Sequence, residues 1–174
     1  MLKSLFKPKP ALVAGRALYA RVVEQARSPA LYRDLGAPDT PEGRFEIYSL
    51  HVVLLLERLR GHGALATDVS QALFDTYVSH LDHALRELGV SDVTVGKKMR
   101  KLGEAFYGRG KNYQEALDQL PERGPLEAIL GRTVYAGTDD RSSELADYVL
   151  AQREALAANP LDALVGGKVD WRPA

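Results

Sequence analysis

Between Thr40-Pro41 and Gly61-His62-Gly63 runs a segment whose middle, Ile47 to Leu56, is apolar on nearly every side of a helical projection. Thr40 suits an N-cap and Pro41 the first helical position, where a hydroxyl satisfies a free N–H and proline's missing one is not needed. The glycine pair supplies the stop. An amphipathic helix can lie on a surface, but one that is apolar all round has to be enclosed by others. Its longest unbroken apolar run, Val52 to Leu56, is far short of the roughly 20 residues of a bilayer-spanning helix. The chain is therefore expected to wrap other helices around a nearly all-apolar central one of about 41–60.

The flanking sequence supplies those helices, and nothing alternates with period two for long enough to demand a sheet. Pro10 opens a helix to Arg27 that Ser28-Pro29 ends, and residues 29–40, with Gly36 and Pro38, read as a connection holding one short helical turn at Leu31 and Tyr32. Thr67 is placed to cap a helix through Leu88, stopped by Gly89. Ser91 or Thr94 opens the next, where Val95, Met99, Leu102 and Phe106 share a narrow arc opposite Lys97, Arg100, Lys101 and Glu104. Gly108 and Gly110 are expected to kink it, since each glycine costs about 1 kcal/mol against alanine, with a new helix from Asn112. Further helices are predicted from Gly124-Pro125 through Tyr135 and from Ser142 or Ser143 to Ala158. The expectation is an all-α single domain, a bundle of about six helices. It divides into a basic N-terminal segment 1–10, a helical domain 11–158 and an irregular C-terminal tail 159–174.

With 174 residues, 45% hydrophobic and 26% charged, the chain is large enough to bury a core without staples. It has no cysteine, which removes disulfides, thiolate metal sites and a cysteine nucleophile together. Gly15, Arg16 and Arg21 interrupt any signal-peptide apolar region. Positive and negative side chains balance at 23 each, but unevenly: Lys97, Lys98, Arg100 and Lys101 crowd one helix, and residues 112–162 are mainly acidic. Partners respond to that distribution more than to the net value.

Chemistry is sparse. His80 and His83 stand at i, i+3 without the further ligands a metal centre needs. No glycine pair follows a strand into a phosphate-cradling loop, and no serine lies in a nucleophile motif. No enzyme activity, metal or cofactor is expected. The basic face Lys97, Lys98, Arg100 and Lys101 could meet phosphates, which makes an RNA- or ribosome-associated module the alternative function. More informative is a polar stripe along the central helix, where Arg44, His51 and Arg58 recur every seven residues. Asp75 and Asp82 on the next helix suggest antiparallel arginine–aspartate pairing, read either as a structural bridge or as a polar groove for a partner. Tyr107 and Arg109 complete the candidate surface. His51, alone in the central helix, reads as a hydrogen-bonded structural histidine in preference to a haem ligand.

The blocks RFEIYSLHVVLLLERLR at 44–60, QALFD at 71–75, LRELGVSD at 85–92 and FYGR at 106–109 resemble the ubiquinol-cytochrome c chaperone family, in order and over residues 30–150. The resemblance implies a helical assembly factor for the respiratory cytochrome bc complex that binds newly made cytochrome b or another hydrophobic membrane-protein client. It further implies a small partner protein, a ribosome contact in some members, and a cytoplasmic location with peripheral contact at the inner membrane.

Overall fold

The computed structural model describes residues 9–137 and 141–174. The described residues form eight helices and no strand: α1 (Pro10–Ala26), α2 (Pro29–Arg33), α3 (Pro41–Leu59), α4 (Gly63–Glu87), α5 (Asp92–Leu117), α6 (Gly124–Thr133), α7 (Ser142–Ala158) and α8 (Leu161–Val165). Most of the expected N-terminal segment, residues 1–8, lies outside the described residues.

Thr40 caps α3 by accepting from the Gly43 N–H at 3.1 Å, with Pro41 in the first turn. α1, α4, α5 and α7 all pack on α3, and Ser49 to Leu55 are buried without a break. The enclosed residues are not all apolar, because Glu46, Ser49 and His51 are buried with them. Ser49 Oγ and Tyr77 Oη, 2.7 Å apart, fix the register of α3 against α4.

α1 lies parallel to α4: Gly15 meets Ala72 and Leu73, while the Tyr19 ring stands 6.1 Å from Tyr77 and 4.7 Å from His80. The approach is close enough that a Cβ on Gly15 would come within 2.6 Å of Ala72 C and Cβ and of Leu73 N. Only glycine permits this crossing.

Two helix boundaries differ from expectation. α4 begins at Gly63, and Thr67 lies inside its first turns, donating to the Gly63 carbonyl at 3.0 Å in place of capping. α5 runs unbroken through Gly108 and Gly110. Phe106, Tyr113, Ala116 and Leu117 are buried on both sides of the glycines, and this packing outweighs the helix cost of the two residues.

The segment expected as an irregular tail is an ordered strap that contains α8. Gly167, at φ +83°, turns the chain against α1, where a Cβ would lie 3.0 Å from Ala14 Cα and from Ala17 Cβ. Beyond it, side-chain amides hold alternate residues by both backbone groups. Asn159 donates to the Asp170 carbonyl at 3.0 Å and accepts from its N–H at 2.8 Å. Gln152 does the same for Arg172 at 2.7 and 3.0 Å. Val169, just before them, is buried, and the intervening Trp171 packs on the core. An extended segment turns successive side chains to opposite sides, so sequence without helical periodicity can still be anchored.

The distal halves of α4 and α5 form an arm. Between Val78 and Ala105 the sole buried residue is Val95, and at the turn Leu88 and Val93 are 64% and 92% exposed.

Candidate functional site

The three residues of the α3 stripe have separate surroundings. Arg44 is exposed and donates from Nε to Asp39 Oδ1 at 2.6 Å, tying the first turn of α3 to the preceding loop. His51 is fully buried, with Nδ1 2.7 Å from the Ile47 carbonyl and Nε2 2.7 Å from the Tyr148 hydroxyl. A carbonyl can only accept, so Nδ1 bears the proton and Nε2 accepts from Tyr148. The Tyr148 oxygen accepts in turn from Gln25 Nε2 at 2.9 Å, and the Trp171 ring lies 5.3 Å from His51, edge to face. α1, α3, α7 and the strap thus converge on one imidazole. With both nitrogens engaged, His51 is placed as a structural residue.

Burial pushes the His51 imidazole down to about 4, against a smaller opposing effect of its bond to Ile47. Between that value and about 6.5 the unfolded chain binds more protons than the folded one, so stability is complete above the unfolded pKa and declines as pH falls through the window. Urea midpoints measured from pH 7 to 4.5 should register a loss approaching about 3 kcal/mol at the low end. His51→Gln should flatten that part of the profile; an equally steep decline in the variant would assign it to other groups.

Arg58 does not pair with α4. Its Nε donates to the Leu156 carbonyl at 2.9 Å and its Nη2 to the Asn159 carbonyl at 3.1 Å, and Nη1 lies 3.1 Å from His62 Nε2. A guanidinium here occupies carbonyls at the end of α7, where positive charge also suits the helix dipole. Asp75 accepts from Gln71 at 2.7 Å and Asp82 from Arg86 at 2.7 Å, both within α4. The expected arginine–aspartate pairing between α3 and α4 is therefore absent, because the end of α7 occupies Arg58 and local partners occupy the aspartates. Arg58→Met should cost about 1 to 2 kcal/mol, since the methionine keeps the apolar stem but strips two charge-assisted bonds. A melting temperature equal to the parent's would show that solvent serves those carbonyls equally well.

Arg109 joins its Nε to Glu46 Oε2 at 3.0 Å and its Nη2 to Oε1 at 2.7 Å, bridging α5 to α3. Glu46 is 7% exposed, so the pair is a two-pronged tie at a largely dry junction. Tyr107, 66% exposed, lies beside Phe74 at 5.7 Å and Phe106 at 6.1 Å. Lys97, Lys98, Arg100 and Lys101 are exposed, and Arg100 pairs with Glu104 at 3.1 Å. His80 packs on Tyr19, and among the described residues no group of three or more potential metal ligands assembles.

Sequence reasoning missed Glu46 and Glu57 as partners. They stand eleven residues apart, which returns nearly to the same line along a helix. Glu57 accepts from Arg153 of α7 at 3.0 and 3.2 Å. Two acids aligned in a buried helix were the available signal for facing cations.

Arg58 also borders an open groove of about 560 Å³ between α3 and α7. Leu54, Leu150 and Leu156 give it an apolar floor, and Glu57, Arg58, Arg153 and Glu154 a charged rim. It combines apolar contact with fixed polar groups, as ligand-holding concavities do.

Residues 33–171 match the family described as Ubiquinol-cytochrome C chaperone. Over 165 residues, 92% of the chain, it is 26% identical to the "Ubiquinol-cytochrome-c reductase complex assembly factor 1" of Xenopus laevis, of which it spans 82%. It is 28% identical to the mouse and human proteins of that description, and spans about half of their length, 55% and 54%. The crystal structure of the Cbp3 homolog from Brucella abortus is similar at a TM-score of 0.86 and 34% identity, over 99% of this chain and 97% of that one.

Proposed function

We propose that this chain, which belongs to the ubiquinol-cytochrome C chaperone family, is an assembly chaperone of the cytochrome bc complex and holds newly synthesised cytochrome b before the complex forms. The observation that carries this reading is the family match across residues 33–171, joined by likeness over 92% of the chain to relatives named as assembly factors. We assign the client to the α3–α7 groove, because there the polar stripe of α3 reaches a concave surface through Arg58. A leucine floor suits an apolar segment of a membrane protein, and the charged rim suits the polar ends of such a segment.

The test is affinity capture of the tagged chain from its own cells, with cytochrome b measured in the eluate and the bc complex measured after deletion. Cytochrome b should be recovered with the parent protein. Ala157→Trp fills the groove from an exposed position, so stability should change by no more than about 0.5 kcal/mol while recovery drops. Normal bc-complex levels in the deletion strain would reject the assembly role. Full recovery with Ala157→Trp would move the client to another face.

A further inference from the structure

We infer that the free end of the α4–α5 arm is a seat for an anionic lipid surface, with Leu88 and Val93 entering the acyl boundary and Lys97, Lys98 and Lys101 meeting the phosphates. This inference does not depend on which client the protein holds.

Three observations meet at this place. First, the arm has almost no buried side chain between Val78 and Ala105, so its end is presented well clear of the core. Second, the two aliphatic side chains at the turn, Leu88 and Val93, are 64% and 92% exposed. Third, the lysines follow at a suitable depth. At 1.5 Å per residue, Lys97 and Lys98 lie about 6 to 8 Å behind Val93 along α5, and Lys101 about 12 Å. A peripheral helix buries its apolar part about 5 to 10 Å into the boundary between headgroups and acyl chains. When Val93 is inside that boundary, the ammonium groups of Lys97 and Lys98 are therefore level with the phosphates, and long lysine stems can extend to them.

Charge at the arm selects the lipid. Among the described residues Lys97, Lys98 and Lys101 have no carboxylate within ion-pair distance, whereas Arg100 is paired with Glu104. Of the acids at the turn, Asp82 and Asp92 share the single cation Arg86, which leaves one net negative charge, and Glu87, without a cation, adds a second. Three available lysines against this residual negative charge favour an anionic surface over a neutral one. RNA would also meet the lysines, but nothing in its backbone calls for exposed valine and leucine at the point of contact.

The experiment is co-sedimentation of the whole chain with vesicles of phosphatidylcholine alone or phosphatidylcholine mixed with phosphatidylglycerol. Binding to the mixed vesicles and weak binding to the neutral ones is expected. Reversing all three lysines to glutamate should lower binding to the mixed vesicles by at least about tenfold. Val93→Asp should also lower it severalfold without changing melting, because the residue touches no core. Glu87→Gln should act in the opposite direction and strengthen binding. Undiminished vesicle binding by either the lysine reversal or Val93→Asp would overturn the inference, as would equal binding to the two vesicle types. A lysine reversal that abolishes binding to single-stranded RNA while the parent ignores vesicles would assign the face to nucleic acid.

Discussion

Leu55→Asp is expected to abolish the cooperative thermal transition. Leu55 is fully buried in α3, within the stretch from Ser49 to Leu55 that other helices enclose completely. The substitution removes most of a leucine's apolar contacts and places in their stead a buried carboxylate, and the cation one turn on, Arg58, is already engaged by the Leu156 and Asn159 carbonyls. Truncating a buried leucine alone costs about 2 to 5 kcal/mol, and desolvating an unpaired polar or charged group adds several more. Together these rival the whole stability of a typical domain, about 5 to 15 kcal/mol. Circular dichroism on heating, with Leu55→Ala as a milder companion, separates the two contributions: the alanine variant should still melt cooperatively at a lower temperature. An aspartate variant that melts near the parent would mean that α3 is not enclosed. Lys97→Glu with Lys101→Glu provides the contrast, each change staying within about 0.5 kcal/mol because both side chains are in solvent.

Gly15→Val should be nearly as damaging, for a different reason. No atom needed for contact is lost, but the new Cβ would stand 2.6 Å from two backbone atoms and one side-chain atom of α4. Backbone in a packed helix cannot move aside as a flexible side chain can, so α1 and α4 must separate along their length. That displacement opens the aromatic contacts of Tyr19 with Tyr77 and His80 and pulls Ala14 from the strap at Gly167. Overpacking of this kind costs about 1 to 3 kcal/mol where neighbours can relax; with rigid neighbours about 3 to 5 kcal/mol is expected. Chemical denaturation measures it. A loss below about 1 kcal/mol would show that the two helices can slide past each other. Gly108→Ala is the informative partner, because that glycine has nothing near its Cβ position and alanine there should raise helix stability by a few tenths of a kcal/mol or more.

The helices were legible where local chemistry decides. Thr40-Pro41 marked the start of α3, Pro10 that of α1, and Asn159-Pro160 the end of α7, since caps and prolines act within one turn. Sequence misled where distant packing overrides local cost, as at Gly108 and Gly110, where burial of Phe106 and Tyr113 keeps α5 whole. The polar stripe was visible as a period of seven, but a period identifies a line on one helix and not what faces it. Arg44 met a loop, His51 a tyrosine ninety-seven positions away, and Arg58 the carbonyls of α7. The strap was invisible for a related reason: Asn159 and Gln152 bind backbone groups, which every residue has, so no pattern in residues 168–174 announces them.

Gln25 has a kinetic meaning. Its amide reaches Tyr148 across 123 positions and the Arg172 carbonyl across 147, while α1 lies parallel to α4 and so cannot form a simple hairpin with it. A bundle of consecutive hairpins can zip from neighbour to neighbour, closing short loops as it goes. Here the early and late parts of the chain must find each other before the His51 network is complete, and that search grows with sequence separation. Refolding should accordingly be slow for a protein so rich in helix, and loss of either partner should loosen both ends of the polypeptide at once.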